Sequence, residues 1–243
     1  MIASYLRRGM AAGLLADILA GLFALVVAEP LLDQAIGLEE SNHQEAQASA
    51  THTHDDEGEV FSRSIQKVDL FFATGLSGVL VGGLFGLVFA YFRGRMDSES
   101  DWIRSLSLAA ALFAGAVLVP FLKYPANPPT VGDPDTIGAR TVAYFAIVGL
   151  SLLAILAGWY VSKLLSERGV SAPVRQVAVG LGLVTVLIGL LVGLPTITDP
   201  GEFPAGLLWN FRPSSLVTQL VLWAGLAALF GLLCERANRR KLI

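Results

Sequence analysis

All three histidines of the chain, His43, His52 and His54, lie in one short stretch, and Asp55, Asp56 and Glu57 follow directly. Imidazole and carboxylate ligands at that density suit a divalent transition metal such as Co²⁺, Ni²⁺, Zn²⁺ or Cu²⁺. Ordinary sites of this kind hold copper and nickel more tightly than cobalt, so these six residues predict metal capture without selectivity. The competing reading is a solvated acidic linker with incidental histidines; the confinement of every histidine to one stretch weighs against it. The lone Cys234 allows neither an internal disulfide nor a thiolate cluster. A second candidate is Asp17, in the middle of an apolar run. A carboxylate at the centre of a bilayer costs about 2.5–3.5 kcal/mol on insertion scales, which marks Asp17 as a stop for a cation or proton. Its structural alternative is a hydrogen bond to a polar group such as Thr74, Ser77, Thr185 or Gln219 that fastens two helices.

A third group lies in Pro120–Thr141, PFLKYPANPPTVGDPDTIGART, which holds five of the eleven prolines. Proline lacks the backbone donor that a helix interior needs, so this segment is expected to be an ordered loop or a broken helix end. Lys123, Tyr124, Asn127, Asp133, Asp135 and Arg140 are its polar groups. Its carbonyls, Asn127 and the two acids offer hard oxygen ligands for a partly hydrated dication. The structural alternative pairs Lys123 and Arg140 with Asp133 and Asp135. Asp135 or Thr136 is placed to cap the helix that follows. A fourth group, in LPTITDPGEFPAGLLWNFRPSS (194–215), comprises Asp199, Glu202, Trp209 and Arg212. Trp209 and Phe211 beside Arg212 read as an interfacial anchor, or, with Asp199 and Glu202, as an outer gate.

The elements that must position these groups are membrane helices. Hydrophobic residues make up 54% of the 243 and charged ones 15%, with a mean hydropathy of +0.63; no soluble core needs so much apolar sequence. Windows of about 20 apolar residues predict an all-α protein with six spans at 9–28, 70–92, 103–122, 142–161, 174–194 and 215–233. The single membrane domain leaves a polar stretch, 37–62, too poor in apolar residues to offset its ordering entropy and therefore expected to be a disordered loop. Arg7, Arg8, Arg93, Arg95, Arg104, Lys163, Arg168, Arg175 and the basic run from Arg236 to Lys241 fall on one side of the six spans. The other side has Arg63, Lys67, Lys123, Arg140 and Arg212. The positive-inside rule then puts both termini in the cytoplasm and the His-containing loop and the Pro120–Thr141 segment outside. Glycines at four-residue spacing, Gly9, Gly13, Gly78, Gly82, Gly86, Gly189 and Gly193, together with Gly21, predict close helix packing. Scattered basic residues and a net charge of −3 give no footprint for nucleic acid. The chain carries no Walker, nucleophile-elbow or H-E-x-x-H motif, so no enzyme is expected and any transport must run on an ion gradient, the membrane potential or a partner.

The KYPANPP…GDPDTIG…RT signature, with FPAGLLWNFR (Phe203–Arg212) and EPLLDQAI (Glu29–Ile36), resembles the CbtA family of probable cobalt transporter subunits, and the resemblance runs through nearly the whole chain. It implies a multi-pass component of a cobalt uptake system in the cytoplasmic membrane of a bacterium or archaeon. It also implies a small single-span partner, CbtB, a His- and acid-rich insertion of variable length at the place of 37–62, and Co²⁺ as substrate with no permanently bound cofactor. A rival reading from the scarcity of polar groups inside the spans is a non-transporting scaffold or assembly factor whose histidines are incidental.

Overall fold

In the computed structural model, residues 2–37, 63–96, 98, 100–128, 131, 134–196 and 203–239 are described. They are helical apart from turns and short connections, with no strand among them. Six helical segments are long and apolar enough to cross a membrane: Ile2–Val27, Gly75–Arg95, Asp101–Lys123, Ile137–Glu167, Ala172–Gly193 and Ala205–Arg239. Each overlaps one expected span, and most run beyond it. A hydrocarbon layer needs only about 20 residues, whereas intrahelical bonding continues into the polar flanks. The expected metal ligands His43, His52, His54, Asp55, Asp56 and Glu57 lie outside the described residues, as do Asp133, Asp199 and Glu202.

The helices are α1 (Ile2–Val27), α2 (29–37), α3 (Arg63–Phe92), α4 (Asp101–Phe113), α5 (Val119–Lys123), α6 (Ile137–Glu167), α7 (Ala172–Gly193) and α8 (Ala205–Arg239). They form two compact units. The first comprises Met1–Ala110, Pro128–Thr130 and Pro204–Ile243, and the second Ala111–Asn127 and Val131–Phe203.

In the first unit, α1 lies between α3 and α8. Its α3 face is built from glycine because nothing larger fits. A Cβ on Gly82 would stand 2.1 Å from the Gly9 carbonyl oxygen and 2.7 Å from the Gly13 Cα, and one on Gly86 2.4 Å from the Tyr5 carbonyl oxygen. Lipid provides no hydrophobic drive for pairing such helices, so close backbone approach and its dispersion contacts must do so. The opposite face is also small: Ala16 and Ala20 are buried, and a Cβ on Gly225 of α8 would meet Ala16 at 3.3 Å. Large side chains fill the space left over. Phe230 takes Phe89 at 4.8 Å and Phe85 at 5.2 Å between ring centroids, both edge-on, and all three rings are buried.

In the second unit, α5 and α6 pack together and α7 lies along α6, where Gly158 admits Leu183 and Val179. No residue of α7 is buried, and Gly189 and Gly193 have open space where their Cβ would be, as does Gly21 of α1. The expectation of close packing therefore holds at Gly9, Gly13, Gly78, Gly82 and Gly86, and not at these three.

The span that begins with α4 is interrupted by a π-helical turn, Ala114–Leu118, before α5. Pro120 explains it. The proline ring would collide with the carbonyl of Ala116 four residues back and offers it no donor, and a wider turn relieves both faults. The π turn leaves the Gly115 carbonyl in need of a partner, and the Ser151 hydroxyl of α6 donates to it.

Two expectations need correction. The segment after residue 203 was expected to be loop as far as Ser215, yet α8 starts at Ala205, so Trp209 and Arg212 are helical. Leu207 and Leu208 both donate to the Pro204 carbonyl at 3.1 Å, which starts the helix at once. Pro213 lies inside the helix, where the Ser214 hydroxyl bonds the Phe211 carbonyl at 2.7 Å. The second correction concerns capping by Thr136. A 3₁₀ turn, Pro134–Thr136, leads into α6 and leaves Thr136 with helical backbone angles (φ −91°, ψ −1°) and no side-chain capping bond. A capping side chain reaches the first amides from extended backbone, and the 3₁₀ turn removes that geometry.

Candidate functional site

Three polar centres emerge. The first is in the second unit, where the signature loop leaves α5. Lys123 Nζ donates to the Leu191 carbonyl at 2.8 Å and to Thr196 Oγ1 at 3.0 Å, and the Tyr124 hydroxyl donates to the Pro195 carbonyl at 2.6 Å. The last carbonyls of a helix have no intrahelical donors and carry the negative end of its dipole. An ammonium placed there caps α7 and ties the signature loop to the loop that follows it. Partial burial raises the Tyr124 phenol above its usual value, so it stays a donor at neutral pH. Arg140 Nη1 donates to the carbonyl of the buried Val131 at 3.4 Å. Beside it a groove of about 300 Å³ is lined by Ile137, Arg140, Thr141, Tyr144 and Phe145.

Lys123 thus bonds to backbone and hydroxyl groups at the end of α7. Replacing it by methionine keeps the aliphatic stem and removes both bonds. The expected result is a local loss of about 1–2 kcal/mol, read as faster amide exchange at Leu194 and Thr196; unaltered exchange there would show that the tether carries no load.

The second centre is Asp17, in the glycine seam of the first unit. It is buried, accepts a hydrogen bond from the Ser77 hydroxyl at 3.3 Å, and lies where a Cβ on Gly78 would be, 2.4 Å from the Asp17 Cβ. Ser77 was one of four partners the sequence offered. The geometry admits an acid on this seam only because position 78 is glycine.

The third centre was not anticipated. Asp101, 1% exposed, sits at the start of α4 and joins three segments. Arg93 Nε, from the 3₁₀ turn Arg93–Arg95 that ends α3, stands 2.8 Å from Oδ1, and Arg104 Nη1 2.9 Å from the same oxygen. Asn238 Nδ2, near the end of α8, donates to Oδ2 at 2.8 Å. Alongside it, Glu235 Oε1 accepts from the Ser100 hydroxyl at 3.0 Å and the Trp102 amide at 3.3 Å. Ser100 Oγ also accepts from the Trp102 amide at 3.2 Å, the pattern of a helix N-cap. Ser-Asp before an apolar run is the sequence signal that could have located this centre.

Of the remaining candidates, Asn127, Asp135 and Arg140 are engaged by neighbouring groups, as is Arg212 on α8. Trp209 on α8 is 76% exposed, as an aromatic at a membrane interface would be. Trp209 and Arg212 belong to the first unit, and Lys123, Tyr124 and Arg140 to the second. Among the described residues no three His, Cys, Asp or Glu side chains come together to hold a metal ion.

No curated protein and no solved structure matches the chain. A family model described as "Probable cobalt transporter subunit (CbtA)" matches residues 2–235, nearly its whole length. With six helices able to cross a membrane and the signature Lys123 and Tyr124 built into one end of a helical unit, the chain belongs to the CbtA family of probable cobalt transporter subunits.

Proposed function

We propose that this chain is the membrane-embedded subunit of a Co²⁺ uptake system in the cytoplasmic membrane of a bacterium or archaeon, acting with a small single-span CbtB-like partner. The observation that carries the reading is the family match over residues 2–235 on a chain with six membrane-length helices. The distribution of Arg and Lys supports cytoplasmic termini. In that orientation the His43, His52 and His54 stretch with Asp55, Asp56 and Glu57 collects the ion outside. The loop carrying Lys123, Tyr124, Asn127, Asp133, Asp135 and Arg140 serves as an outer mouth of the second unit, and Asp199, Glu202 and the α8 residues Trp209 and Arg212 are gate candidates in their own right. Lys123 and Tyr124 serve there by holding the mouth in shape, since their polar atoms are committed to Leu191, Thr196 and Pro195. Asp17 is the membrane-buried carboxylate for the passing cation.

Uptake of radiolabelled Co²⁺ by cells that make the chain and its partner, compared with cells lacking the chain, tests the proposal. Chain-dependent uptake is expected, with a His43→Ala/His52→Ala/His54→Ala variant slowed at low metal and near normal at high metal, as loss of a collector requires. Equal uptake with and without the chain would leave the scaffold reading in its place.

A further inference from the structure

The Asp101 centre has the construction of a latch, and α4 that of the arm it holds. At its first end, α4 meets α8 through a seam of hydrogen bonds and one indole contact. The Ser105 hydroxyl donates to the Ala227 carbonyl at 2.7 Å, and one turn on, a Cβ added to Gly231 would lie 3.0 Å from the Trp102 ring and 3.3 Å from its Cα. Another turn on, Glu235 accepts from Ser100 and the Trp102 amide, and beyond it Asn238 binds Asp101. Ala227, Gly231 and Glu235 recur every four residues, so one stripe of α8 carries the seam. The seam combines these polar bonds with the Trp102 indole on Gly231. By contrast, α1 and α3 meet chiefly backbone to backbone, with the Ser77–Asp17 hydrogen bond as a polar contact between them. Charge-assisted bonds are directional and can be lost together, and water can take their place at a helix end.

At its other end the same span stops being an ordinary helix. The first stretch of the first unit ends at Ala110, and the π turn Ala114–Leu118 and buried Pro120 follow soon after. The π turn is fixed to α6 by the Ser151 hydroxyl and by Gly115, whose missing side chain admits Leu152 and Ile155. A rigid segment, Asp101–Ala110, is therefore bounded by a polar clasp on one side and an anchored break on the other.

We propose that the first half of α4 is a gate arm, clasped to the ends of α3 and α8 by Asp101 and pivoting at the π turn, and that its release opens the first unit at the end where Cys234 lies. That this opening passes Co²⁺ rests on the transport reading; the motion of the arm does not. Cys234 is a reporter already in place. It is the single cysteine, is fully buried, lies within one turn of Gly231, Glu235 and Asn238, and has the Arg8 guanidinium 3.9 Å from its sulfur.

The test is the rate at which N-ethylmaleimide, which crosses membranes, alkylates Cys234 in the full chain in membranes. Wild type is expected to react slowly. Asp101→Asn keeps the side-chain shape and removes the charge both arginines bind; it is expected to react at least about tenfold faster, because modification tracks the open population. Asn238→Ala removes one of the three bonds and spares both ion pairs, so it is expected to react about threefold faster, and it serves if Asp101→Asn does not fold. Amide exchange should rise over Asp101–Ala110 and stay unchanged in α1 and α6. Unaltered alkylation in a monodisperse variant would overturn the proposal. So would exchange that rises equally through α1 and α3, which would make Asp101 a static staple. Accelerated alkylation with no Co²⁺ uptake in any form of the chain would uphold the arm and defeat the transport reading alone.

Discussion

Leucine in place of Gly82 is expected to abolish the pairing of α1 with α3 and with it the accumulation of folded protein in the membrane. The Cβ alone would overlap the Gly9 carbonyl oxygen, the Gly13 amide and the Gly13 Cα, all backbone atoms that cannot rotate away as a side-chain tip could. The helices must move apart along the whole seam, so the cost exceeds the ~1–3 kcal/mol usual for an overfilled core. Even alanine introduces the clashing Cβ, so Gly82→Ala is expected to be destabilised as well. Gly21→Ala is the control, because its Cβ would meet open space although it lies on α1, the helix that Gly82 packs against. Thermal aggregation of detergent-solubilised protein measures all three; a Gly82→Leu protein as stable as Gly21→Ala would refute the seam.

The second large effect is expected at Asp17. Asparagine there has the same shape against Gly78 and can accept the same bond from Ser77, so it preserves packing and removes only charge. If the carboxylate serves the passing cation, Asp17→Asn lowers Co²⁺ uptake at least about tenfold, a change of ~1.4 kcal/mol in the barrier, with the amount of folded chain unchanged. Uptake at the wild-type rate would assign Asp17 to the helix seam alone. The substitution separates the two roles because the structure shows which contacts must be kept constant.

The sequence exposed some of this plainly. Six spans are evident because each is an unbroken apolar run of bilayer length, a signal in which local composition and final environment agree. The glycine seam was also visible, since four-residue spacing is itself the geometry of a helix face. What spacing could not say is which stripe is used: Gly9, Gly13, Gly78, Gly82 and Gly86 meet backbone, while Gly189 and Gly193 meet none. That depends on which helices become neighbours, a long-range property.

The polar centres were less legible for the same reason. Lys123 bonds to Leu191 and Thr196, distant in sequence and brought near by the fold. Asp101 drew no reading from the sequence, because its partners Arg93 and Asn238 are spread over two other helix ends. The helical course of Trp209–Arg212 was concealed by Pro204 and Pro213, which suggest a loop until one sees that the first starts α8 and the second is tolerated within it.

If the chain admits Co²⁺ as proposed, the membrane potential is one drive that can carry the ion inward without a nucleotide site. With 100 mV inside negative, each charge gains about 2.3 kcal/mol, so a dication can accumulate on the order of a thousandfold at equilibrium. The most direct measurement is radiolabelled Co²⁺ entry into vesicles reconstituted with the purified chain and its small partner, with the potential imposed and then collapsed. Entry that depends on the chain, rises with the potential and ceases when the potential is collapsed is the predicted result. Entry no faster than into empty vesicles at every potential would contradict it.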